Sequence, residues 1–312
     1  MLPSRVSLVD VGPRDGLQNE SRLVAAADKI GLVRRLQAAG LREIEVTSFV
    51  SPRWVPQMAD HAEVLAGIDR PPGVRHSVLV PNLRGLETAM AGGPGRWPDE
   101  IVVFGAASEA FSRRNINCSI AESIERFAPV AAAAVQAGIK VRGAISCALG
   151  CPYEGEIHPD AVERVVRLMR EIGVQHVGVA DTIGTGTPRR VQAALERALR
   201  HYPIEEVSGH FHDTYGQSLA NIYASLELGV SHFDTSVAGL GGCPYARGAT
   251  GNVATEDVVF MLQGLDIETG IDLDALVDAG VFISDLLGRP PVSRVARALL
   301  ARRSASAEGH TA

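Results

Sequence analysis

His210 and His212 stand one residue apart in the stretch SGHFHDTYGQ (208–217), with Asp213 two residues beyond Phe211. On an extended strand, residues i and i+2 point to the same face, so both imidazoles can face one ion. The pair alone leaves two readings open, a metal grip or ordinary core and loop histidines. A carboxylate brought to the same place would favour the grip, and Asp15 in VGPRDG (11–16) is the candidate. Two imidazoles and a carboxylate suit a divalent ion such as magnesium, manganese, zinc or cobalt.

A second stretch, SVAGLGGCPYARGATGNVATEDV (236–258), is rich in glycine. That composition fits a mobile or closely approached active-site loop. Cys243 sits at its middle, as an inert thiol or as an acid, base or nucleophile. Asn252 offers an amide oxygen to an ion, or serves as a turn residue.

These groups need elements to hold them together. Short apolar, β-branched runs at 5–11, 43–48, 75–80, 100–105, 139–146, 176–181, 206–211 and 231–236 read as strands. Helical patterns fall between them, as at 26–39, 119–137, 159–172, 188–200 and 216–228. Gly40, Gly138, Gly173 and Gly229 close several of these helices. Eight strands alternating with helices predict an α/β chain folded as a (β/α)8 TIM barrel. A doubly wound open sheet would want G-x-G-x-x-G after its first strand, and VGPRDG stands there instead.

In a barrel, reactive groups gather at the carboxyl ends of the strands. Arg14, Asp15, Glu45, Ser48, Ser146, Asp181, Thr182, His210 and His212 fall at or near such ends. Helices from about 254 form a C-terminal cap, so that 1–302 makes one catalytic domain. The small, polar tail 303–312 is expected to be disordered.

Composition narrows the function. With 312 residues, 46% of them hydrophobic, the chain can bury a large core. The net charge of −6 and the scattered basic residues argue against a nucleic-acid partner. No apolar run is long enough to span a bilayer, and no secretory signal is visible. Four cysteines, Cys118, Cys147, Cys151 and Cys243, suggest no disulfide framework, so a reducing cytoplasm is expected. Lys29 and Lys140 are the only lysines. Neither is placed to form a Schiff base at the barrel mouth, so any carbanion must be stabilised by a metal and an arginine.

The blocks VGPRDGLQNE (11–20), EVTSFVSPRWVPQMAD (45–60), FGAASEAFSRRNINCSI (104–120), SCALGCPYEG (146–155), ADTIGTGTP (180–188), HFHDTYGQSLAN (210–221) and AGLGGCPYARGATGNVATEDV (238–258) together resemble the 3-hydroxy-3-methylglutaryl-CoA lyase family. The likeness runs from about residue 5 to about 300. It implies a metal-dependent TIM-barrel lyase that cleaves an acyl-CoA to acetyl-CoA and acetoacetate, as in leucine degradation and ketone-body formation. It implies a magnesium or manganese ion on Asp15, His210, His212 and Asn252. Arg14 would stabilise the enolate, Cys243 would act as acid/base, and His210, Glu45 and Asp181 would complete the catalytic set, with Asp181 near the substrate hydroxyl. Gln18, Ser48, Asn115 and Thr182 join Arg14 as expected substrate contacts, and a homodimer is implied. One departure is Ala144, where family members typically carry tyrosine, which leaves room for a bulkier 3-hydroxyacyl-CoA. The rivals are a Claisen-type synthase of the isopropylmalate or homocitrate kind and a catalytically silent metal-binding scaffold.

Overall fold

The computed structural model describes residues 1–242 and 251–308. Eight parallel strands close a barrel: β1 (Ser7–Asp10), β2 (Glu43–Ser48), β3 (Arg75–Leu79), β4 (Glu100–Ala106), β5 (Lys140–Ser146), β8 (His176–Asp181), β9 (Val207–Phe211) and β10 (His232–Thr235). The remaining two strands, β6 (Gly150–Cys151) and β7 (Gly155–Glu156), form a small antiparallel hairpin after β5. Helices α1 (Ala26–Ala38), α2 (His61–Gly67), α3 (Leu83–Met90), α4 (Glu109–Ile116), α5 (Ile120–Gln136), α6 (Pro159–Glu171), α7 (Pro188–Leu199) and α8 (Ser218–Glu227) lie between the strands. After β10 come α9 (Thr255–Gly264), α10 (Leu273–Leu287) and α11 (Arg294–Glu308). Among the described residues, no helix is long and apolar enough to cross a membrane.

The local signals worked as expected. Gly40, Gly138, Gly173 and Gly229 follow α1, α5, α6 and α8 with φ between 78° and 101°, a backbone region that costs glycine nothing. The strands alternate in character. Outward positions such as Val46, Val103, Val141 and Val177 are buried against the helices. A Cβ on Gly143 would fall 2.5 Å from the Met169 sulfur of α6, so that strand face presses directly on a helix.

Several inward positions carry charge, unlike the branched aliphatic layers common in such barrels. From β5, Arg142 crosses the interior to Asp234 on β10 (2.6 Å) and pairs with Glu100 on β4 (3.2 Å). Below them, Glu43 pairs with Arg75 (2.6 Å) and with His232 (3.1 Å). Buried charges persist only when paired, and the closure of the barrel supplies the partners.

α11 runs to Glu308, across the first part of the segment expected to be a disordered tail from 303. Within it, the Arg303 guanidinium reaches Asp278 (2.6 Å) and Asp274 (2.7 Å) on α10. The lysines also differ from each other. Lys29 on α1 is 1% exposed and donates to the Asp60 carboxylate at 2.7 Å, whereas Lys140 is exposed at the start of β5.

Two buried carboxyls hold α9 in place, one from β1 and one from α9 itself. Asp10 accepts hydrogen bonds from the Gly12 amide (2.9 Å), the Val237 amide (2.9 Å) and the Thr255 hydroxyl (2.8 Å). Glu256 accepts from the Ala238 amide at 2.9 and 3.0 Å. Burial pushes Asp10 up to about 7 and Glu256 up to about 8. A carboxyl raised on folding stabilises the protein below its unfolded pKa, and that contribution fades as pH rises through the folded value. The thermal midpoint should therefore fall as pH climbs from the ordinary carboxyl range near 4 to about 7 for Asp10 and about 8 for Glu256, and level off above that. Glu256→Gln should flatten the upper part of that fall in melting curves recorded across the range; an unchanged slope would remove Glu256 as the cause.

Candidate metal and catalytic site

Arg14 and Asp15 sit in a π-turn, Gly12–Gly16, that follows β1. The turn needs its glycines. A Cβ on Gly12 would fall 2.7 Å from Asp10 Oδ1, and one on Gly16 would fall 2.7 Å from Leu240 Cβ. Held this way, the turn aims both charged side chains over the barrel mouth.

Potential ligand atoms of Asp15, His210 and His212 all lie within 4.8 Å of one another. The i, i+2 reasoning therefore holds, although β9 itself ends at Phe211 and His212 is kept in line by a bridge to Asn252. Asn252 Nδ2 donates to Asp15 Oδ2 at 2.9 Å and to the Leu240 carbonyl at 3.3 Å. Asn252 thus takes its place beside the three.

The Arg14 guanidinium is gripped on two sides. Nε and Nη2 donate to the two Glu45 oxygens at 2.9 and 3.0 Å, and Nη1 donates to Asp15 Oδ1 at 2.7 Å. A guanidinium has five N–H groups, so one hydrogen on Nη1 and one on Nη2 remain for an incoming oxygen.

The electrostatics follow from this crowding. Burial disfavours the Asp15 carboxylate, but Arg14, His210, His212 and the Asn252 amide outweigh it and hold the group down at about 2. Burial and the nearby His210 push His212 down to about 4, so its ring is neutral at neutral pH. Burial also opposes charge on His210, yet Asp234, 3.1 Å from its Nδ1, and Asp15 raise it above the ordinary histidine value.

Do these residues fit a cation? His212 Nδ1 is buried and has no hydrogen-bond partner among the described residues, and buried polar nitrogens normally have one. A carboxylate and two imidazoles converging there make a donor set for a divalent ion.

The other expected site residues fall around this centre. Asp181 is fully buried, but its oxygens face the turn after β8, accepting the Thr185 amide at 3.1 Å and the Gly186 amide at 2.8 Å. Burial raises it to about 6. Thr182 Oγ1 accepts the Cys147 amide at 2.7 Å, which ties that turn to the end of β5. Ser48 ends β2 with a buried hydroxyl that has no partner among the described residues. Gln18 is half-buried just past the π-turn, and Asn115 is exposed on α4. Cys243 lies outside the described residues. On either side of it, Asn19 Nδ2 donates to the Gly242 carbonyl at 2.9 Å, and the Asp213 amide donates to the Gly251 carbonyl at 2.9 Å.

Asp234 and Arg142 escaped the sequence reading. The available signal was a charged residue inside an otherwise apolar parallel strand, as in SHFDTS and IKVRGAIS, because strands of such sheets usually run hydrophobic.

A family model described as HMGL-like matches residues 5–283. The chain belongs to the HMGL-like family. It is 58% identical over 301 residues to 3-hydroxy-3-isohexenylglutaryl-CoA/hydroxy-methylglutaryl-CoA lyase of Pseudomonas aeruginosa, covering 96% of this chain and 99% of that one. It is 54% identical over 297 residues to the mitochondrial hydroxymethylglutaryl-CoA lyase of Homo sapiens, covering 95% of this chain and 90% of the human one. Among solved structures, the Pseudomonas aeruginosa hydroxymethylglutaryl-CoA lyase superposes with a TM-score of 0.93 at 58% identity, over 96% of this chain and 99% of that one. An Acinetobacter baumannii HMG-CoA lyase in complex with coenzyme A and 3-methylmalate gives 0.89 at 34% identity, covering 95% of each chain. Membership of this metal-dependent family agrees with the donor set at the barrel mouth.

Removing one partner of a buried ion pair costs about 3–5 kcal/mol. Glu45 is 1% exposed, so Glu45→Ala should lower unfolding stability on that scale in denaturant titrations. A loss under about 1 kcal/mol would mean that Arg14 finds solvent instead.

Proposed function

We propose that the protein cleaves 3-hydroxy-3-methylglutaryl-CoA to acetyl-CoA and acetoacetate, using a divalent cation, magnesium or manganese. The observation that carries this reading is the convergence of Asp15, His210 and His212 beside a guanidinium with unused donors. The cation, held by these residues with Asn252, would acidify the substrate hydroxyl.

This chain's residues supply the rest. The hydroxyl proton passes to water, and as the neighbouring carbon–carbon bond breaks that oxygen becomes the acetoacetate ketone. The electron pair of the broken carbon–carbon bond moves to the thioester fragment as an enolate. Arg14, locked by Glu45, offers its remaining hydrogens to the enolate oxygen. Such preorganised donors act where charge develops and need no reorganisation at the moment of reaction. Cys243, which follows Gly242 in the chain, delivers a proton to the enolate carbon. A thiol with an ordinary pKa of about 8.5 is protonated at neutral pH and suits that task. Asp181 and Thr182 act by holding the turn after β8 in place.

A longer 3-substituent has support as a second substrate. The 58% identical Pseudomonas relative is named for the isohexenylglutaryl thioester as well as the methylglutaryl one. In this chain Ala144 on β5 and its neighbour Gly178 on β8 are both small and share the inward face with Arg142.

Cleavage of the methylglutaryl thioester, followed by acetoacetate release, should stop after chelation and return with magnesium or manganese. Full speed in the stripped protein would refute the proposal, as would release of free CoA from acetyl-CoA and a 2-oxo acid without any cleavage. Arg14→Gln should cut turnover about 100–1,000-fold while cation binding survives. Ala144→Tyr should slow the isohexenyl thioester about tenfold or more relative to the methyl one; an unaltered ratio would exclude Ala144 as the determinant.

A further inference from the structure

Asp234 lies beneath the cation-binding cluster, and it is not one of the converging ligands. Its strand, β10, is paired with β9 so that Asp234 and His210 are register partners. Asp234 Oδ2 is 3.1 Å from His210 Nδ1, and Oδ1 accepts from Arg142 Nη1 at 2.6 Å. All three side chains are largely buried, at 10%, 15% and 4% exposed for Asp234, His210 and Arg142. Arg142 is itself held from behind by Glu100 at 3.2 Å.

We propose that Asp234 is the positioning residue of the metal ligand His210, and that Arg142 fixes which way Asp234 faces. A carboxylate can only accept hydrogen bonds, so Nδ1 must carry the ring proton. Nε2 is then the atom left with a free lone pair for the cation. Metal-bound histidines characteristically donate their second N–H to a carboxylate, which sets the tautomer and ring orientation and makes the ligand more basic. Arg142 makes the arrangement one-directional. It has donors and no acceptor, so it always claims an oxygen of residue 234.

This makes Asp234→Asn a sharper change than its size suggests. A carboxamide has a single oxygen, and Arg142 would take it. The NH2 group would then face His210 Nδ1, and the ring would carry its proton on Nε2, where the cation has to bind. The geometry of the backbone need not change.

The inference rests on the metal reading above, and the test separates the two. In the metal-free wild-type protein at alkaline pH, where the imidazoles are neutral, long-range 15N–1H spectra should show His210 protonated at Nδ1. The signal is assigned by its loss in His210→Gln. Calorimetric titration with Mn2+ should show binding to wild type and binding about 10–100-fold weaker in Asp234→Asn, with the His210 proton moved to Nε2. Wild type that binds no Mn2+ would overturn the metal reading and this inference together. Wild type that binds Mn2+ while Asp234→Asn binds equally well would overturn this inference alone. An Nε2 proton on His210 in wild type would also overturn it, and needs no variant to fold.

Discussion

Everything at the barrel mouth depends on one constraint: a guanidinium and several carboxylates share a space with little water, so each charge must be held by another. Arg14 between Glu45 and Asp15 is the centre of this arrangement. Taking such ions out of water costs several kcal/mol each unless the partners are well placed. Stability and site geometry are therefore not separate properties here. The same contacts that make the charges tolerable also fix where the Arg14 hydrogens point and where Asp15 stands relative to the two histidines.

The constraint extends downward through the barrel. Asp234 and Arg142 continue the chain of compensated charges from His210 toward Glu100, and Glu43, Arg75 and His232 form a lower group. A barrel filled with branched aliphatic side chains would be easier to pack, but it would give the mouth nothing to lean on. The upper rim is braced differently. Asp10 joins the turn carrying Arg14 to the segment that leads into the glycine-rich loop. Gly241 and Gly251 approach so closely at the base of that loop that a Cβ on Gly251 would fall 2.4 Å from the Gly241 carbonyl oxygen.

Local chemistry explains how much of this was legible in the chain itself. The eight strand runs stand out because β-branched residues alternate with glycine-closed helices, and β2 and β8 begin and end where the pattern does. β1 is shorter than its apolar run, because Val11 already belongs to the turn whose shape Gly12 and Gly16 permit. His210, His212, Asp15 and Arg14 could be placed at one rim because strand direction alone decides which ends meet. The Arg142–Asp234 contact could not be foreseen. It joins residues 92 apart on strands separated by two others, and it exists only because the sheet closes. Asp181 illustrates a different limit. The family resemblance implied a place near the substrate hydroxyl, while the bonds its oxygens make are to the backbone amides of Thr185 and Gly186, four and five residues further on, which no spacing in the chain announces.

The contrast between the two lysines has a practical side. Lys29 is sealed against Asp60, and Lys140 stands in the open at the end of the barrel away from the mouth. Amine-selective coupling through a lysine would therefore fall at Lys140. The Met1 α-amine, which precedes β1, is exposed as well, and a resin or dye on either amine would leave the opposite opening unobstructed.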